Sequence, residues 1–319
     1  MQPASSAERA PGPVLAELGR SLGGVIFGQQ ALISDLLTAL LARGHVLLEG
    51  VPGVAKTLAA RSLAQALSLQ FNRVQFTPDL MPSDLLGTHV FRPQQGTFEL
   101  LRGPLFTELL VADEINRTPP KTQAALLEAM EERQISLEGQ THRLDPGFFV
   151  VATQNPLELE GTYPLPEAQL DRFLMRIRVG YPGETEELSS VRAFHERKGA
   201  QPSIAPVLGR EALRELQAQA GAVVCDESVL AYAVRVTRQT RQDARVRLGA
   251  SPRAAQALVA AAKARAVLHG RDFAMPDDVK EVSQSVLNHR LILTPEAEVE
   301  GVSTGEVISR TLEQVQVPR

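Results

Sequence analysis

The sequence predicts an α/β fold: a mainly parallel sheet flanked by helices, carrying two inserted β-hairpins and followed by an all-helical second half. Three observations predict it. The apolar run His45-Val-Leu-Leu-Glu49 enters Gly50-Val-Pro-Gly-Val-Ala-Lys-Thr57 and then the helical pattern Leu58–Ala66, in the order strand, glycine-bearing loop, helix. Strand-like and helix-like segments alternate through the first half, as they do when parallel strands are joined by helices. After Tyr181-Pro-Gly183 the strand signal stops.

Taken in order, residues 1–10 lack the apolar stretch of a signal peptide and read as a frayed tail. Residues 13–43 read as two helices separated by Gly23-Gly24-Val-Ile-Phe-Gly-Gln29. Strands are expected at His45–Glu49, Phe71–Phe76, Glu108–Ala112, Phe148–Thr153 and Leu174–Val179, with helices at 56–69 and 119–132. Thr88–Leu101 alternates around Gly96, and Gln134–Leu144 alternates around Glu138-Gly139-Gln140. Each reads as a hairpin projecting from the sheet. Helical patterns then cover 184–198, 209–220, 226–241, 252–268 and 276–290. Ser251-Pro252 and Met275-Pro276 are start signals. The expected division is a core of residues 1–182 and a helical domain of 183–319.

Residues Gly50–Thr57 have the chemistry of a phosphate site. Loop and helix N–H groups face the phosphates, Lys56 reaches the β- and γ-phosphates, and the Thr57 hydroxyl coordinates Mg²⁺. The usual pattern G-x-x-x-x-G-K-[ST] has glycine where this chain has Ala55. A Cβ is harmless there only if residue 55 is right-handed helical, with Gly50 and Gly53 supplying any unusual dihedrals. Read alone, the segment is equally an ordinary strand–turn–helix.

Leu109-Leu-Val-Ala-Asp-Glu-Ile-Asn116 is an apolar strand ending in two carboxylates. At the carboxyl end of a strand, Asp113 can hold the Mg²⁺ shell while Glu114 orients a water beside the γ-phosphate. The alternative is an acidic helix cap. Phe148-Phe-Val-Val-Ala-Thr-Gln-Asn155 places an amide at another strand end, for phosphate or water, or as a turn former before Pro156. Arg172 precedes the fifth strand, and Arg253 opens a helix where the dipole does not favour a cation. Either can stabilise transition-state charge, and either can be a solvated surface residue.

Taken together, these segments resemble the MoxR group of AAA+ ATPases. The resemblance rests on 50–57, Asp-Glu-Ile-Asn-Arg (113–117), Leu-Leu-Glu-Ala-Met-Glu-Glu-Arg-Gln (126–134), Thr-Gln-Asn-Pro (153–156), Glu-Gly-Thr-Tyr (160–163), Leu-Pro-Glu-Ala-Gln-Leu-Asp-Arg-Phe (165–173) and Leu-Gly-Ala-Ser-Pro-Arg (248–253). It spans about Phe27 to Pro318. The resemblance implies that Gly50, Val51, Pro52, Gly53, Val54, Ala55, Lys56, Thr57 and Leu58 hold ATP. Ile26, Phe27 and Gly28 would lie against the adenine. Thr57 and Asp113 would hold Mg²⁺, with Glu114, Asn155, Arg172 and Arg253 catalytic. Arg172 would be the arginine finger, Asn155 and Arg253 the sensors, and the helical domain a lid. Ala55 is ordinary for that group. The resemblance further implies a hexameric ring with nucleotide between subunits, remodelling other proteins beside a separate von Willebrand A domain protein.

Composition limits the remaining readings. The chain has 319 residues, a net charge of −4, 4% aromatics, no Trp and one Cys. No apolar stretch approaches a membrane span. A single Cys225, expected to be a small buried thiol, excludes an internal disulfide framework, so the cytoplasm is the expected compartment. Net acidity argues against charge-driven nucleic-acid binding. A nucleic-acid translocase nevertheless remains an alternative. Its hairpins would need basic tips, whereas Arg92, Arg102, Arg133, His142 and Arg143 lie away from the turns. A chelatase-type motor subunit is a third reading. Without a guanine-reading Asn-Lys-x-Asp segment, ATP is expected over GTP. Arg235, Arg238, Arg241 and Arg245 recur at helical spacing, as a solvated stripe or a partner contact.

Overall fold

The computed structural model describes residues 11–94, 96–156 and 161–318. The tail 1–10 and Glu160 of the Glu-Gly-Thr-Tyr segment lie outside the described residues. Helices α1 (Pro11–Gly23) and α2 (Gln30–Leu41) lead to β1 (His45–Glu49). Helix α3 (Lys56–Ala66) connects the glycine loop to β2 (Phe71–Gln75), and a short α4 (Pro82–Leu86) opens the first hairpin, β3 (Gly87–Arg92) with β4 (Thr97–Arg102). Strand β5 (Leu109–Asp113), helix α5 (Pro120–Glu132), the second hairpin β6 (Gln134–Leu137) with β7 (Gln140–Arg143), β8 (Phe149–Gln154), α6 (Glu167–Leu170) and β9 (Phe173–Arg178) follow.

Five strands form one parallel sheet in the order β2-β5-β8-β1-β9. Their alternation sends side chains to two separate cores. Leu47, Leu110, Ala112, Val150 and Ala152 pack with Leu126, Leu127 and Met130 of α5. Val46, Leu48, Leu109, Val111, Phe149 and Val151 pack with α1, α2 and α3 on the other face. Because both faces are covered, the inner strands β1, β5 and β8 are buried almost throughout and legible as mainly apolar runs, whereas the edge strands β2 and β9 carry polar and charged residues.

Both hairpins form where expected. Gly87 has φ +99°, and a Cβ there would lie 2.3 Å from the Leu101 carbonyl oxygen, so the base of the first hairpin requires glycine. The second turns through Glu138 (φ 48°) and Gly139 (φ 81°), the paired positive dihedrals of a two-residue hairpin loop. His89 of the first hairpin meets Glu138 of the second at 3.0 Å, which ties the two together.

The second half contains α7 (Glu184–Glu196), α8 (Arg210–Ala222), α9 (Glu227–Thr240), α10 (Pro252–Leu268), α11 (Pro276–Leu287), α12 (Pro295–Val299) and α13 (Thr304–Gln314). It is not wholly helical. β10 (Val246–Leu248) pairs antiparallel with β11 (Ile292–Leu293). These segments are too short to carry a period-two signal, and their pairing is between residues distant in sequence. The arginine stripe is also shorter than the spacing suggests, because α9 ends at Thr240. Arg241 donates to the Ala250 carbonyl, and Arg245 turns back to Asp243 at 2.7 Å. That guanidinium holds the Asp243 carboxyl down at about 2. Only Arg235 and Arg238 remain on an exposed helical face. Cys225 is half-buried rather than fully buried, and burial raises its thiol pKa.

Leu213, Leu216, Val229, Tyr232, Leu258, Val279 and Val307 join the same core as α1 and α2. Alanines along α10 allow this close approach, and Arg265 fastens it, reaching Asp35 of α2 at 2.6 Å.

Candidate functional site

All five sheet strands point their carboxyl ends at one edge. The chain leaves β1 to one side for β2 and later places β9 on the other, so a crevice opens beyond β1 and β8. Gly50 follows β1 directly. It does not have a left-handed dihedral; a Cβ there would lie 2.4 Å from the Val179 carbonyl oxygen, so close approach is what requires glycine. Gly53 does supply positive φ, at +88°.

Ala55 departs from the expectation. Its φ of 62° and ψ of 21° are left-handed, not right-handed helical. This left-handed residue stands immediately before Lys56, the first residue of α3, and turns the chain from the loop into the helix. The Cβ costs about 1 kcal/mol there. No side chain caps α3.

The Lys56 ammonium donates to the carbonyls of Gly50 and Gln154, between the ends of β1 and β8. The Thr57 hydroxyl donates to Asp113 Oδ2 at 3.1 Å. Asp113 is buried. Its Oδ1 accepts from Thr153 at 2.6 Å, and Thr153 in turn accepts the Glu114 N–H at 2.9 Å. Glu114 sits at φ 59°, ψ 51°, so its carboxylate leaves the strand direction that Asp113 follows. Gln75 and Arg117 donate to that carboxylate at 2.8 and 3.2 Å. Asn155 is buried one residue beyond Gln154. Residues 26–28 flank the same edge: Gln29 donates to the Gly180 carbonyl at 2.8 Å, and a Cβ on Gly28 would lie 2.9 Å from Pro182.

Arg172 and Arg253 are elsewhere. Arg172 precedes Phe173, which pairs with His45 at the start of β1. The step from Gly44 to Gly50 along β1 corresponds to roughly 20 Å at about 3.3 Å per residue. The two arginines share one carboxylate, Glu131, at 2.9 and 3.5 Å. With Arg43, Arg133 and Arg290 they line a cavity of about 340 Å³. Beneath it, His45 is buried with its Nδ1 accepting from Val150 N–H and its Nε2 facing the Met130 carbonyl. Burial, reinforced by the charge of Arg133, lowers its pKa to about 4.

Residues 45–175 match the ATPase family associated with various cellular activities (AAA), and 238–311 match the AAA lid domain. The chain is 45% identical to YeaC of Bacillus subtilis, over 96% of this chain and 95% of that one. It is 45% identical to the chaperone MoxR1 of Mycobacterium tuberculosis over 92% of this chain and 80% of that one. MoxR of Methylorubrum extorquens is 32% identical over 95% of each chain. This chain belongs to the MoxR family of AAA+ ATPases. A crystal structure from Cytophaga hutchinsonii superposes on this MoxR-family fold with a TM-score of 0.89 at 40% identity, covering 97% and 96% of the two chains.

Arg73, Gln75, Thr153 and Glu131 escape a reading of the sequence. Gln75 lies opposite Asp113 and Arg73 opposite Val111 only because β2 pairs with β5 in that register. Within Phe71-Asn-Arg-Val-Gln75, both look like solvent-facing strand residues. The one available signal is that Thr153 and Glu131 fall inside segments already singled out. Two of the basic hairpin residues have local partners: Arg92 pairs with Glu99 at 2.6 Å, and Arg133 donates to the carbonyls of Arg43 and Pro146.

Proposed function

We propose that this ATPase is a Mg²⁺-dependent, ring-forming, chaperone-type motor whose nucleotide sites are shared between subunits. One observation carries the reading. Lys56, Thr57, Asp113, Glu114 and Asn155 gather at one edge of the sheet, while Arg172 and Arg253 gather at the other. A single chain therefore cannot bring both sets to one phosphate, but a neighbour placed edge to edge can. The 45% identity to a protein named as a chaperone supports the remodelling role. A hexamer and a separate von Willebrand A domain partner are parts of the same proposal. So is a division into an ATPase core, 1–182, and a lid, 183–319.

The donor set fits Mg²⁺, since the Thr57 hydroxyl and the Asp113 carboxylate are hard oxygens 3.1 Å apart. Bound there, the metal neutralises charge on the β- and γ-phosphates. Residues 50–58 receive the phosphates through N–H groups at the uncapped start of α3, and Lys56 exchanges its two carbonyl partners for phosphate oxygens. Ile26, Phe27 and Gly28 cover the adenine. Glu114 orients the attacking water and takes its proton, and Asn155 holds that water or the γ-phosphate. Arg172 and Arg253 stabilise the charge developing on the neighbour's nucleotide.

Mixing two inactive variants tests the shared site. Arg172→Ala alone should lose about 10³-fold in turnover, and Lys56→Ala alone should bind nucleotide about 10- to 100-fold more weakly and lose turnover at sub-saturating ATP. Mixed rings should recover part of the activity, because some interfaces unite an intact loop with an intact arginine. Mixed rings, verified by mass, that recover none would overturn the proposal.

A further inference from the structure

We propose that Arg73 is the resident counter-ion of the Asp113 carboxylate and that a divalent metal binds by displacing it. The inference rests on the nucleotide site proposed above. Arg73 donates to Asp113 Oδ2 through Nη2 at 2.7 Å and through Nε at 3.0 Å. The same oxygen accepts the Thr57 hydroxyl at 3.1 Å. A carboxylate oxygen offers about two lone-pair positions, so three donors already crowd it. The Asp113 side chain is 9% exposed, whereas that of Arg73 is 51% exposed.

These exposures give the two partners different roles. A nearly buried carboxylate needs a cation or donors to offset desolvation, and Arg73 supplies them. The arginine itself has open solvent to move into. A metal ion, held directly or through its water shell, takes over the same charge compensation and repels the guanidinium. Arg73 also donates to Gln75 Oε1 at 3.2 Å, and Gln75 donates to Glu114 at 2.8 Å. The guanidinium thus stands at the end of a chain that links both carboxylates.

The competition has a sign that a purely structural role would not produce. In a Glu114→Gln background, chosen to slow turnover, binding of a fluorescent ATP analogue is titrated with Mg²⁺ with and without Arg73→Gln. Removing an exposed competitor should lower the Mg²⁺ midpoint about two- to fivefold. Mn²⁺ binding followed by electron paramagnetic resonance should shift in the same direction. An unchanged or raised midpoint in a variant with the parental melting temperature overturns the inference. Arg73→Lys, which keeps the charge but loses the planar fork, covers a glutamine variant that does not fold. It should show a smaller decrease, and no decrease there counts equally against the inference. If the parent itself shows no Mg²⁺-dependent nucleotide binding, the proposed site fails along with the inference. Failure of Arg73 alone leaves the site standing.

Discussion

At the scale of the residue, the site depends on side chains whose partners are set by one or two backbone turns. Glu114 leaves the strand through a left-handed residue, with its N–H anchored on Thr153. Glu114→Gln is expected to retain ATP while phosphate release falls by about 10²- to 10⁴-fold. Turnover at the parental rate would remove Glu114 from the mechanism. Lys56→Ala should weaken nucleotide binding about 10- to 100-fold, the value of one charge-assisted contact, as measured by equilibrium titration. His45 has a different consequence. Its folded pKa of about 4 lies below its ordinary 6.5, so unfolding takes up a proton in that interval. The stabilisation from keeping the ring neutral is complete above pH 6.5 and is lost as pH falls towards 4. Urea unfolding between pH 7 and 4 should reveal a loss of about 3 kcal/mol from this group. His45→Gln should flatten that dependence.

At the scale of the element, strands were readable and short ladders were not. β1, β5 and β8 are apolar runs because both sheet faces are covered, a pattern visible without a fold. β10 and β11 exist only because α9 stops at Thr240 and the loop beyond it meets Ile292 and Leu293. Ala55 carries the same lesson. Its strain is set by how α3 must present its first turn, which the motif's spelling does not reveal. Helix docking also shows itself only in three dimensions. Asp35 of α2 accepts from Arg265 of α10 at 2.6 Å and from Ser285 of α11 at 2.5 Å. Asp35→Ala leaves the Arg265 guanidinium nearly buried without its main anion. A loss of about 3 kcal/mol in chemical denaturation is expected. A loss below about 1 kcal/mol would mean that this junction contributes little.

At the scale of the whole molecule, the decisive feature is that Lys56, Thr57 and Asp113 lie at the carboxyl ends of the strands while Arg172 and Arg253 lie at the opposite end of the sheet. Activity per subunit should therefore rise with protein concentration as rings assemble, and sedimentation run in parallel should show the same midpoint. Activity independent of concentration down to the monomer would contradict a shared site. A Glu114→Gln trap held in ATP should retain the protein being remodelled. A von Willebrand A domain protein among the retained species supports the partner proposal, and retained nucleic acid would overturn the chaperone reading.

By itself, the sequence determined the strand–glycine loop–helix at residues 45–66, the paired carboxylates at a strand end, both hairpins and the family, because each is written in local spacing. Backbone periodicity and turn chemistry act over a few residues, so they survive without a fold. Only the tertiary structure decided that Arg172 and Arg253 lie away from Lys56, that Arg73 occupies Asp113, and that the helical half shares a core with α1 and α2. Those relations depend on strand order and register, which bring together residues far apart in the chain.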